Sequence, residues 1–112
     1  MMSMWNELTL EQQLSELITA SQNKPQVIFK HSTRCGTSSL AKNRLERQFS
    51  NDFADFHLLD LLRHRELSNK IADIFSVYHE SPQVLLIKNG ECIYDESHLS
   101  INMDELAEQA SS

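Results

Sequence analysis

Two glycines and two prolines punctuate the whole 112-residue chain, where average usage would give about thirteen such residues. Each stands beside an apolar run or a polar loop. Pro25 precedes Val27-Ile28-Phe29, Pro82 precedes Val84 to Ile87, Gly36 follows Cys35, and Gly90 completes Asn89-Gly90. A many-stranded sandwich would need more turn residues than this. No repeat or low-complexity tract interrupts the chain, so one domain over residues 1–112 is expected. That length buries a core without help from disulfides or a structural metal.

The longest apolar run, Val84 to Ile87, has four residues, far short of the ~20 that a membrane-spanning helix needs. A net charge of -6 makes a nucleic-acid partner unexpected. The first twenty residues carry Glu7, Glu11 and Glu16 and no Lys or Arg. That is unlike a secretory signal, and a cytoplasmic location is expected.

Apolar spacing predicts the elements. Residues 8–22, with Leu8, Leu10, Leu14, Leu17 and Ile18, read as an N-terminal helix in which Thr9 and Gln12 could form a capping box. Residues 25–110 form the core. Residues 26–30 read as a buried strand, and residues 36–49 as a helix with Ala41, Leu45 and Phe49 inward. Residues 55–61 read as a second strand, with Phe56 and Leu58 on one face. Residues 62–77 read as a helix with Leu67, Ile71, Ile74 and Phe75 inward. Asn89-Gly90 suits the left-handed angles of a tight turn, so residues 83–88 and 91–95 should pair antiparallel. Residues 102–109 close the chain as a helix, with Met103, Leu106 and Ala110 inward and Asn102 as its cap. A right-handed crossover makes the first two strands parallel. The expectation is an α/β fold: a four-stranded mixed sheet with helices on both faces, plus an N-terminal helix.

In such a sheet, chemistry gathers where a strand's carboxyl end meets a helix N-terminus. Here that point is His31-Ser32-Thr33-Arg34-Cys35-Gly36-Thr37-Ser38. Unpaired backbone amides and the positive end of a helix dipole favour a thiolate over a thiol. Residues 30–47 carry a net charge of +4 within a chain of -6. Arg34, beside the cysteine, reads as a functional cation, whereas Lys42, Arg44 and Arg47 read as a solvated helix face. Cys35 lies in a polar loop and reads as a reactive nucleophile. Cys92, between Glu91 and Ile93 in a strand, reads as structural. Ser38 stands where a dithiol enzyme would carry its second cysteine. It could donate a hydrogen bond to the sulfur or satisfy the first turn's amides. With no second thiol nearby, a mixed disulfide on Cys35 waits for a thiol from solution. His31 could tune the sulfur or pack the loop. The five histidines show no metal-ligand spacing with either cysteine, so no metal is expected.

The Cys-x-x-Ser motif after the first core strand, the proline before the third and the Lys88-Asn89-Gly90-Glu91 hairpin resemble the thioredoxin fold. Within it, Phe29-Lys30-His31-Ser32-Thr33-Arg34-Cys35 with Gly36-Thr37-Ser38 is similar to the monothiol bacilliredoxin family (YtxJ-like). That resemblance implies a thiol-disulfide oxidoreductase linked to bacillithiol, with Cys35 as nucleophile. Arg34, Gly36, Thr37, Ser38, Ser81 and Pro82 would stabilise the thiolate or bind substrate. It also implies a cis bond between Ser81 and Pro82, bacillithiolated proteins as clients, and a low-molecular-weight thiol as co-substrate, with no tightly bound cofactor. Members often have Pro after the cysteine, where this chain has Gly36. Two other readings stand beside it. Cys35-Gly36-Thr37-Ser38 also resembles the Cys-Gly-Phe-Ser loop of monothiol glutaredoxins, which bridge a [2Fe–2S] cluster. The same fold can also serve a catalytically idle adaptor.

Overall fold

The computed structural model describes residues 4–49 and 52–112; residues 1–3 and 50–51 of the expected domain lie outside them. The elements are β1 (Trp5–Glu7), α1 (Glu11–Ala20), β2 (Gln26–His31), α2 (Gly36–Arg47), β3 (Asp55–Asp60), α3 (Arg65–Phe75), β4 (Gln83–Lys88), β5 (Glu91–Ser97) and α4 (Met103–Ala110). A single 3-10 turn, His98–Ser100, links β5 to α4. The strands form one sheet in the order β1-β3-β2-β4-β5. β1, β3 and β2 run parallel, while β4 pairs antiparallel with both β2 and β5. Among the described residues, no helix is long and apolar enough to cross a membrane.

Strand alternation sorts the core into two halves. Val27, Phe29, Phe56, Val84 and Leu86 face one side, where Ala41 and Leu45 of α2 and Met103, Leu106 and Ala110 of α4 cover them. Ile28, Leu59, Leu85 and Ile87 face the other, under Leu14 and Leu17 of α1 and Leu67, Ile71 and Phe75 of α3. Every residue of β2 is buried, as a central strand covered on both faces requires. The hairpin forms as expected. Asn89 and Gly90 have φ of 53° and 79°, the left-handed pair of a two-residue turn. Their amides donate to the Ser21 carbonyl at 2.9 Å and the Ser21 hydroxyl at 2.8 Å, which ties the turn to the end of α1. Asn102 caps α4 by accepting the Glu105 amide at 2.8 Å.

The sheet has five strands, not four. β1 is three residues long, too short for alternation to reveal, and tertiary contacts hold it. The Trp5 ring stacks on Phe29 at 5.6 Å and meets Phe56 edge-on at 6.1 Å. Its indole N–H donates to Glu46 at 2.8 Å.

Several helix ends also differ from the sequence reading. Leu8 is buried before α1 begins and Leu10 is exposed. Gln13, not Gln12, reaches back to the amides of Thr9 and Leu10 at 2.8 and 2.9 Å. α3 starts only at Arg65, because Asp60 accepts the Leu62 amide and holds a turn. Ile74 and Phe49 are exposed rather than inward. α2 ends at Arg47, before its apolar spacing reaches Phe49, whose ring rests edge-on against Phe56.

One buried cluster is polar. Lys30 is 0% exposed; its Nζ donates to the Ser68 carbonyl at 3.1 Å and lies 3.2 Å from His79 Nδ1. Burial pulls its pKa from 10.5 down to about 8. Between those values the folded chain binds fewer protons than the unfolded one. The penalty is therefore full below pH 8, and stability is gained as pH rises toward 10.5.

Two outcomes follow from this packing. Trp5→Ala should cost about 3–5 kcal/mol in urea unfolding, the range for removing a buried aromatic; a loss below ~1 kcal/mol would mean that β1 is not anchored as described. Lys30→Met keeps the stem's volume without the charge. Its stability relative to wild type should be greatest at pH 7 and decline from pH 8 to 10.5. A difference that ignores pH would contradict the buried charge.

Candidate active site

β2 delivers the site. Its last residue, His31, accepts the Leu61 amide at 3.0 Å, which locks the strand end to β3. The chain then turns through Ser32-Thr33-Arg34, closed by the Cys35 amide donating to the Ser32 carbonyl at 3.2 Å. Cys35 lands at the N-cap of α2 in extended geometry, φ -110° and ψ 119°. Its carbonyl accepts the Ser39 amide at 3.1 Å, while its side chain makes no capping hydrogen bond. The sulfur therefore stands at the end of the helix where first-turn amides have no intrahelical acceptor.

The surroundings are open on one side. Cys35 and Thr37 are half-buried, while Arg34 and Gly36 are exposed. A Cβ added at Gly36 would meet nothing within 4 Å, so the position is not kept as glycine by crowding.

Ser38 is fully buried. Its oxygen accepts the Ser32 amide at 3.0 Å and lies 2.6 Å from His31 Nδ1. Burial, aided by Lys42, holds His31 below its ordinary value against the pull of Asp60 and Glu46. The neutral ring can then accept the Ser38 proton at Nδ1. The Ser38 hydroxyl meets neither sequence expectation: its partners are the Ser32 amide of the loop and His31, not the sulfur and not a first-turn amide. His31 likewise packs the loop, stacked on Phe29 at 5.8 Å. Two side chains seven residues apart, one at the end of β2 and one in the first turn of α2, thus form one latch, which spacing alone does not reveal.

Ser81-Pro82 is a cis bond. Gln83 pairs with Lys30 across β2 and β4, so Pro82 sits beside the strand end that launches the cysteine loop. Pro82 is buried, and the Ser81 hydroxyl is buried without a partner among the described residues. Lys30 and Gln83 hold the segment leading to this bond. Lys30 reaches His79, and the Gln83 side-chain Nε2 donates to the Tyr78 carbonyl at 2.8 Å. Nothing in the sequence signals that Lys30 is buried: it ends an apolar run and counts toward the positive charge of residues 30–47, whereas in the structure its charge lies inside.

Cys92 belongs elsewhere. It pairs with Ile87, and Ile87 pairs with Gln26 at the start of β2. Gln83 and Ile87 are four residues apart, about 13 Å at strand spacing, so Cys92 lies toward the opposite end of the sheet from the Cys35 loop. A disulfide needs Cα atoms within about 7 Å. The Cys92 thiol donates to the Tyr94 carbonyl at 3.3 Å, and burial pushes its pKa up to about 11. Both cysteines are free.

Comparison with known proteins agrees with this geometry. Among solved structures, the chain is similar to a candidate oxidoreductase with a thioredoxin fold, at 32% identity and a TM-score of 0.82, over 95% of this chain and 92% of that one. It is also similar to the thioredoxin of Malassezia sympodialis at 15% identity, TM-score 0.74, over 96% and 88% of the two chains. Spinach chloroplast thioredoxin f matches at 16% identity and TM-score 0.74 over the whole of both chains. The two thioredoxins show the fold alone, which is thioredoxin-like. The family described as monothiol bacilliredoxin BrxC matches residues 6–106, nearly the full length, and brings with it a thiol redox role. That match spans nearly all of the chain, which belongs to the monothiol bacilliredoxin family.

Proposed function

We propose that this chain is a monothiol thiol-disulfide oxidoreductase that removes bacillithiol from mixed disulfides on client proteins. The observation that carries the reading is the isolation of Cys35: a half-exposed cysteine at the N-cap of α2 with the buried Ser38 three residues on.

The chemistry follows from one sulfur. The Cys35 thiolate attacks the bacillithiol sulfur of the mixed disulfide. An S–S bond forms between Cys35 and bacillithiol, the old S–S bond breaks, and its electron pair leaves with the client sulfur as a thiolate. A second bacillithiol, as thiolate, then attacks the adduct, frees Cys35 and departs as bacillithiol disulfide. The client sulfur gains one electron and the incoming bacillithiol loses one, while the bacillithiol released from the client stays at the disulfide level, so electrons balance and the enzyme returns unchanged. No tightly bound cofactor is required, and bacillithiol is the co-substrate. The first-turn amides of Gly36, Thr37 and Ser38 favour the Cys35 thiolate before attack and again as the second bacillithiol releases it. The exposed Arg34 guanidinium offers a partner for a carboxylate on the small thiol. The Ser81 backbone, before the cis proline, offers strand-like pairing to the bound chain. The reducing conditions of the cytoplasm suit a free, reactive thiol.

Mass spectrometry after mixing the protein with a bacillithiolated client tests the scheme. One bacillithiol adduct should appear on Cys35 and vanish when bacillithiol is added. Cys35→Ser should reduce transfer to background and Cys92→Ser should retain most of it; equal loss in both variants would overturn the one-thiol scheme. Arg34→Ala should slow attack on an anionic mixed disulfide about two- to fivefold, the size of one exposed ion pair. It should leave an uncharged disulfide unaffected in stopped-flow traces. Equal slowing of both would deny Arg34 a charge-recognition role.

A further inference from the structure

The face of α2 that leads away from Cys35 is neither apolar nor ordinarily solvated. Gly36, Leu40, Arg44 and Arg47 fall at helical spacing along one stripe. Leu40 is 45% exposed. Leu99 of the 3-10 turn is 52% exposed, and the Arg44 guanidinium, one turn on from Leu40, donates to its carbonyl at 3.1 Å. That bond uses one of five guanidinium N–H groups and fixes the cation next to two open leucines. A groove of ≈ 390 Å³ is lined by Leu40, Arg44, Arg47 and Gln48. Lys42, on another side of the helix, is paired with Glu46 at 2.9 Å. Arg34, Arg44 and Arg47 pair with no carboxylate among the described residues. On an acidic chain, Arg34 beside the sulfur and Arg44 and Arg47 farther along α2 leave a run of cations without carboxylate partners, with two exposed leucines among them.

We propose that this stripe is a docking surface for an acidic segment of the client protein, with an apolar side chain seated against Leu40 and Leu99 and carboxylates against Arg44 and Arg47. The proposal rests on the thiol-exchange reading above and names the client class that it would serve. Charge complementarity selects the occupant. Helix rise gives the spacing: Arg44 and Arg47 lie about 13 and 18 Å along the axis from Cys35. An extended client covers that in roughly four to six residues. The client would therefore carry Asp or Glu about four to six positions from its modified cysteine.

The experiment uses two twelve-residue peptides with one cysteine, carried as a mixed disulfide with thionitrobenzoate. One has two Asp residues four and six positions from the cysteine, and the other has Lys at both. Wild-type protein should react with the acidic peptide about tenfold faster at low salt, and the preference should vanish near ~0.5 M salt. Arg44→Glu with Arg47→Glu should abolish or reverse it, while the rate with hydroxyethyl disulfide stays unchanged. Arg47→Glu alone, at an exposed position, should reduce the preference without touching the Leu99 bond. Equal rates for both peptides, or the same preference in the double variant, would overturn the proposal.

A binding readout separates this from failure of the redox reading. In Cys35→Ser, the reduced acidic peptide should shift the amide resonances of Leu40, Arg44, Arg47 and Leu99. Shifts confined to other residues would overturn the docking surface whatever the chemistry of Cys35. Should hydroxyethyl disulfide fail to react with wild type while these shifts appear, the surface stands and the exchange reading falls. Should sedimentation at low salt show a dimer through this stripe that the acidic peptide cannot displace, a second copy of the chain is the occupant and the proposal is overturned.

Discussion

The hydrogen-bonded register of β2 is the constraint on which the rest depends. This strand pairs parallel with β3 on one edge and antiparallel with β4 on the other, over all of its residues or nearly so. Both of its faces are covered. A one-residue slip would exchange Phe29 for Lys30 on the face beneath α2 and bury a charge among aromatic rings. The cost of such a slip fixes the register, and the register fixes where the chain leaves the sheet. His31 is tied to Leu61, Ser32 begins the turn, and Cys35 meets the helix. From the other edge, the pairing of Lys30 with Gln83 brings Ser81-Pro82 to the same end. Two segments forty-six residues apart in sequence thus form one site through backbone pairing.

The same strand carries the polar groups that hold the site's two walls. His31 points to the face beneath α2 and latches the cysteine loop through Ser38. Lys30 points to the opposite face and reaches His79, which belongs to the segment before the cis proline. Consecutive residues of a strand face opposite sides, so one dipeptide braces both walls. Burying Lys30 without a carboxylate partner is unfavourable. The Ser68 carbonyl and His79 ring offset part of that cost by hydrogen bonding, and the lowered pKa records what remains.

Much of this was legible in the sequence, and the legible parts share a cause. Asn89-Gly90, the cap at Asn102 and the apolar spacing of α4 all report local geometry, which residue types determine directly. Cys35 at a helix start is likewise a local fact. The parts that were missed are long-range. β1 exists because Trp5 reaches Phe29, Phe56 and Glu46, none of them near it in sequence. Ile74 fits an inward spacing, yet α3 meets the sheet along Leu67, Ile71 and Phe75, and that stripe is complete without it. The turn at Asp60 delays α3 because one carboxylate captures an amide that a helix would otherwise use. Ser38 has the same residue type whether it serves sulfur or loop; only the placement of His31 decides.

A single-thiol site places a demand on access that a two-thiol site does not. A neighbouring cysteine would attack an adduct from within the protein and tolerate a closed loop. Where the second thiol comes from solution, the approach must run in line with the existing S–S bond, so the outer side of the first helical turn has to stay free. The arrangement around Cys35 meets that demand. Gly36 leaves open space where a side chain would stand, Arg34 projects into solvent, and Cys35 itself is half-exposed. The groups that hold the loop, Ser38 and His31, are on its buried side. Rigidity is supplied from beneath and access is left above, and one residue serves both ends: the Ser38 hydroxyl is small and polar enough to bond the loop, and it cannot form a disulfide with Cys35.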